Sequence, residues 1–248
     1  MKKRSFLLLP LAGALALSGC GGSGSDTTEG SAGAGAAQEQ SAPATAALST
    51  EQATAIVTKL AGDSSGAQIM DGDTIAASLP QAKKLIEQME IKPEKCAEFV
   101  SQQGSWDIEG INMAVAVLMD EATMASTSYS VAGYEDTAKL DKITEQAKNK
   151  DLQGCDSFSM AVSGQEVEAS AKILDASSDA DLTYATSSAM KMNGTEVPGG
   201  SYQMQGLVGN NAVSVAMTGT GSKSEADVLK KLTDELNKAV AEVKAVAK

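Results

Sequence analysis

Histidine is absent from all 248 residues. Without it the chain alone builds no Ser-His-Asp or Cys-His triad, no histidine-ligated metal centre and no imidazole switch near neutral pH. Aromatic rings are nearly as scarce, with one Trp, four Tyr and three Phe. Stacking rings and basic side chains are what nucleic acids require, and a formal net charge of −12 repels phosphate, so no nucleic-acid partner is expected. What is present is a 42% hydrophobic share, ample for a core, which excludes wholesale disorder and collagen-like chains. The length allows one large domain or two small ones.

The chain opens with an address. Lys2, Lys3 and Arg4 precede an apolar run from Phe6 to Leu17, which ends in Ser18-Gly19-Cys20. Charge, a dozen apolar residues and small residues make a secretory signal, too short and wrongly flanked for a membrane span. The ending Leu17-Ser18-Gly19-Cys20 resembles the lipobox of bacterial lipoproteins. That resemblance implies a diacylglyceryl group on the Cys20 sulfur, cleavage before Cys20, and an acylated or free amine at the new N-terminus. The alternative is an ordinary signal peptide in which Cys20 is incidental. Two acyl chains anchor a soluble domain stably where one does not. Loss of residues 1–19 removes three positive charges and no negative one, taking the net charge from −12 to −15, so anionic lipid repels the domain. Gly21 to about Ala47 is Gly, Ser, Ala and Thr with Asp26, Glu29 and Glu39, a flexible tether whose reach is on the order of 30 Å. The expected organisation is a signal peptide over 1–19, a lipidated Cys20 with its linker over 20–48, and a single domain over 49–248. The expected location is the outer face of the cell membrane.

With Cys20 acylated, Cys96 and Cys155 remain, and a non-reducing exterior permits one pairing. A redox-active or metal-binding pair wants a spacing such as C-x-x-C, whereas 58 residues separate these two, which favours a structural disulfide. It would join a helix near Cys96 to the start of a strand near Cys155.

Helical periodicity begins at Ser49, which forms a capping box with Gln52, and Gly62 sits where a C-cap belongs. Ala67–Ile75 is ambiguous. Ala82–Met89 and Pro93–Gln102 read as short helices bounded by Pro80 and Pro93, with Pro93 at an N1-like position. The period then changes to two over Ile111–Met119, and Ser126–Val131 is a partner strand. Asp136 caps a helix running to about Asn149. Phe158–Val162 and Val167–Ile173 form a hairpin about Ser163-Gly164-Gln165, and Leu182–Met192, Tyr202–Val208 and Ala212–Thr218 complete the strands. Ser222-x-x-Glu225 opens the last helix, whose apolar stripe is Leu229, Leu232, Leu236, Val240 and Val243. The fold class is α+β: an antiparallel sheet of about six strands packed by helices, including a long C-terminal one, with one disulfide.

This order of elements, with Pro93-Glu94-Lys95-Cys96 on a helix, a central strand some 15 residues later, Cys155-Asp156-Ser157-Phe158 opening a strand and a terminal amphipathic helix, resembles the extracellular sensor domain of actinobacterial serine/threonine kinases and its stand-alone lipoprotein relatives. The resemblance spans Ser49–Lys248 and implies a cleft-bearing ligand-binding module without catalysis.

Other motifs read blandly. Gly219-Thr220-Gly221-Ser222-Lys223-Ser224 lacks a third glycine and Walker spacing, and is a strand-to-helix turn. Ser188-Ala189-Met190-Lys191 matches S-x-x-K, but on a strand residues three apart face opposite ways. Asp175, Asp179 and Asp181, and Asp71-Gly72-Asp73, lack EF-hand spacing and suit solvated turns better than Ca²⁺. Met190, Met192 and Met204 offer soft thioethers for Cu(I), or fill an aromatic-poor core. Asp120 and Glu121 are adjacent on a strand and cannot act as a catalytic pair. The leading expectation is a non-enzymatic, membrane-tethered module with no cofactor or metal, binding a small molecule, envelope component or partner protein. A carrier of lipids or glycolipids with a cavity behind a Met/Val sheet face is second, and an envelope hydrolase third.

Overall fold

The computed structural model describes residues 45–64, 66–103, 108–148, 151–162, 165–197, 200–221 and 223–247. Cys20 and the Ser163-Gly164 turn lie outside them. Helix α1 (Thr50–Ala61) leads into strand β1 (Gln68–Asp71), helix α2 (Gly72–Glu87), strand β2 (Glu90–Lys92) and helix α3 (Glu94–Gln103). Strands β3 (Ile111–Asp120) and β4 (Ala125–Tyr134) follow, then helix α4 (Thr137–Lys148). Strands β5 (Ser157–Val162), β6 (Gln165–Leu174), β7 (Leu182–Met192), β8 (Thr195–Glu196), β9 (Ser201–Val208) and β10 (Asn211–Thr218) precede helix α5 (Glu225–Val246).

The class is α+β, but the sheet has ten strands rather than about six, in the order β1-β3-β4-β10-β9-β7-β6-β5-β2 with β8 beside β7. The additions are β1, β2 and β8, each of two to four residues. Such segments are too short to display an alternation; they become strands because the longer β3, β5 and β7 offer them an antiparallel edge.

Local chemistry sets most helix ends. Ser49 and Gln52 form the expected capping box, and Gly62 closes α1 at φ 59°. Asp136 Oδ1 accepts from the Ala138 N–H at the start of α4. Three boundaries differ from expectation. Helix α2 starts ten residues before Ala82 and runs through Pro80. Pro80 deprives the Ala76 carbonyl of its donor, but both residues are exposed, so water replaces the lost bond. Pro93 follows a cis peptide and lies outside α3, where its carbonyl accepts from the Cys96 N–H at 2.8 Å. The N-cap of α5 is Ser224, whose Oγ accepts from the Asp227 N–H and donates to the Asp227 carboxylate, while Ser222 lies outside the described residues. Val228, rather than the half-buried Leu229, is the first buried residue of the stripe.

Helices α1 and α5 lie together on one face of the sheet. Ile56 and Val57 with Leu232, Leu236, Val240 and Val243 bury against Ala114, Val131, Met204, Val213 and Val215 in the largest core. On the other face, α2 and α4 cover one end, where Ile143, Leu140 and Leu79 meet Met113, Ala132, Leu207 and Ala212. Helix α3 covers the opposite edge, packing on Ile91, Phe158 and Met160. There Cys96 and Cys155 form the expected disulfide, with Cα atoms 5.6 Å apart, tying α3 to the entry of β5.

The folded body also includes Thr45–Leu48. Leu48 is fully buried in the core beneath α1 and α5. Its N–H donates to Asn211 Oδ1 at 2.8 Å, while Asn211 Nδ2 donates to the Ala46 and Val208 carbonyls. The Asn210 N–H bonds the Thr45 carbonyl. Glycines 133 and 209 make the approach possible, because a Cβ at either would collide with the backbone of Leu48 or with Thr45.

Candidate functional site

Antiparallel register fixes which side chains share each face of the sheet. Every charged side chain on a strand (Asp71, Glu90, Lys92, Asp120, Glu166, Glu168, Lys172, Lys191 and Glu196) alternates onto the face that carries α1 and α5. The second face carries none among the described residues. Strands β4, β9 and β10 carry no charged residue on either face, and β7 carries Lys191 alone.

Between the cover of α2 and α4 and that of α3, the second face is open and polar. Three rows cross strands β4, β10, β9 and β7. The first is Ser130, Ser214, Gln205 and Tyr184; the second Ser128, Ala216, Gln203 and Thr186; the third Ser126, Thr218, Ser201 and Ser188. Val115, Val117 and Met119 of β3 border them on one side, and Ala171 and Ile173 of β6 on the other. Gln205 and Ala216 are buried and the other ten row residues half-buried. Hydroxyls pair within the third row, Ser126 with Thr218 at 2.7 Å and Ser188 with Ser201 at 3.4 Å. Gln205 is only 9% exposed, and its Nε2 has no partner among the described residues. Burial raises the Tyr184 hydroxyl pKa, so it stays a neutral donor and acceptor at physiological pH.

A second concavity of about 950 Å³ opens where the start of α1 meets the β1–α2 junction. Leu79, Ile108 and Ile111 line it beside Glu51, Asp71, Asp73, Glu109 and Lys83. Two of its carboxylates are engaged: Asp71 is held by the Thr74 hydroxyl and N–H, and Glu51 accepts from the Ser49 hydroxyl, and these bonds lower both pKa values.

The remaining candidates disperse. Met204 is buried under α5 on the first face, whereas Met190 and Met192 stand on the second, so the three thioethers do not converge. The Met/Val face expected to line a cavity is instead packed by the leucines and valines of α5. Ser188 and Lys191 point to opposite faces, as the strand reading requires. Asp181 accepts from the Gly209 N–H, and no group of three or more metal-ligating side chains occurs among the described residues. Asp120 accepts from the Ala122 and Thr123 N–H groups, which with the Thr123 hydroxyl hold its pKa down and make it a turn cap. The open face itself was not anticipated. Its signal in the sequence is the uncharged polar alternation of Ser126, Ser128 and Ser130 and of Gln203 and Gln205.

No family model matches the chain, and no curated protein does. Among solved structures, the extracellular domain of PknH from Mycobacterium tuberculosis is similar, with a TM-score of 0.50 and 11% identity over 81% of this chain and 99% of that one. An uncharacterized Rv0999 ortholog from Mycobacterium smegmatis matches with a TM-score of 0.46 and 17% identity, covering 79% of this chain and 100% of that one. The first likeness shows a shared fold, as the resemblance drawn from Cys96, Cys155 and the order of elements implied.

Proposed function

We propose that the chain is a lipid-anchored, extracytoplasmic, non-enzymatic module that holds an uncharged ligand on the open face of its sheet. The observation that carries this reading is the complete sorting of strand charges onto one face. A solvated sheet face ordinarily takes Lys and Glu at its polar positions, as β6 does with Glu166, Glu168 and Lys172 on the first face. Eleven hydroxyl- and amide-bearing or phenolic side chains in place of charges form a surface able to donate and accept hydrogen bonds without a net field. The signal and lipobox of residues 1–20, the disulfide and the extracellular-domain fold all support placement outside the cytoplasm.

The test is native mass spectrometry of the full chain extracted from membranes in mild detergent. An adduct present on the wild-type chain and absent from Thr186→Lys supports the reading. An adduct that survives Thr186→Lys, or bare masses for both, argues against it.

A further inference from the structure

Resting on that reading, we propose that the ligand is a neutral oligosaccharide chain of the cell envelope, laid across strands β4, β10, β9 and β7. Three observations point to a polyhydroxylated occupant. The face is neutral while the chain is strongly acidic, so anionic polymers and anionic headgroups gain nothing there and are repelled by the rest of the molecule. The row Ser126, Thr218, Ser201 and Ser188 presents one hydroxyl per strand. Neighbouring strands are about 4.8 Å apart, so the row spans about 14 Å with a repeat near the length of one pyranose ring, and successive sugars meet successive hydroxyls. The half-buried Gln203 and Thr186, paired across β9 and β7, add an amide and a hydroxyl beside that row, donors and acceptors that sugar hydroxyls match. The half-buried Tyr184 ring, next to Gln205, gives the apolar face of a sugar a surface to pack on.

The experiment is saturation-transfer NMR on the full-length chain in detergent micelles. The probes are glucan, mannan, galactan and N-acetylglucosamine oligomers of two to six units, alongside uronate and sulfated chains. At least one neutral series is expected to bind, with affinity rising up to about four units and then levelling, while the charged chains stay at least tenfold weaker. Thr186→Lys and Ser128→Lys, on different strands and checked for unchanged melting, should each weaken binding at least tenfold; Glu168→Lys, on the first face, should not. Silence across the neutral panel, or a preference for charged chains, overturns the glycan assignment. A non-carbohydrate adduct that disappears in Thr186→Lys overturns the glycan while leaving the open-face reading intact. Glycan binding unaffected by both lysine variants overturns the placement on this face.

Discussion

Asn211 is a single side chain on which the entry of the chain depends. It is fully buried and spends its amide on Leu48, Ala46 and Val208, linking residues more than 160 positions apart in sequence. Asn211→Ala leaves the Leu48 N–H buried and unpaired, and is expected to cost about 2–3 kcal/mol, read as a lower urea midpoint at unchanged slope. Tyr134 is the converse case. It is 1% exposed, burial alone drives its pKa far upward, and its hydroxyl lacks a partner among the described residues. Tyr134→Phe removes an orphaned polar atom without leaving a cavity, so thermal melting should be unchanged or rise by up to about 1 kcal/mol of stability; a loss above that would reveal a partner for the hydroxyl. Asp71 and Asp120 give the pH dependence. Their carboxyl pKa values are depressed in the fold by hydrogen bonds with Thr74 and Thr123. The stabilisation from those caps is therefore fully present above the unfolded Asp value of about 3.9 and is lost as pH falls through the lower folded values. Asp120→Asn should flatten the acid limb of the stability curve below about pH 4.

At the scale of elements, the disulfide fastens the edge that has least to hold it. Strand β2 has three residues and pairs only with β5, and α3 rests on the small cluster of Ile91, Val100 and the two cysteines. Closing a loop of sequence separation 59 is worth about 4 kcal/mol by chain entropy, so Cys155→Ser should lower melting by several degrees and loosen α3 and β2 first. Hydrogen exchange showing uniform loss over the whole sheet would contradict that localisation. Elements whose cause lies within a few residues, such as the Ser49–Gln52 box, the alternation of β6 and the stripe of α5, were legible in the sequence. Strand β2 was not, since three residues carry no period and its cause is an edge seventy residues away. Pro80 misled because its cost to a helix is local and here falls on an exposed turn, where water takes the orphaned Ala76 carbonyl and the packing of the rest of α2 carries the helix through.

At the scale of the molecule, the open face shows why a site can be hidden in readable parts. Strands β4, β9 and β10 each lack charge in the sequence, yet that they lie side by side as one surface emerges only once register places Ser128 beside Ala216 and Gln203 beside Thr186. The anchor is tested whole. Cys20→Ser should move the exported protein from the membrane to the soluble fraction, and retention at the membrane would point to another attachment.

The latch at Asn211 also separates the first described residues from the open hydroxyl row. The chain enters the body at Thr45, beside the turn between β9 and β10, whereas the hydroxyl row of Thr218 lies at the other end of β10, seven residues and about 24 Å further on. Residues 45–48 and the row of Ser126, Thr218, Ser201 and Ser188 therefore sit at opposite ends of the sheet, and a guest on the row leaves the Asn211 latch untouched.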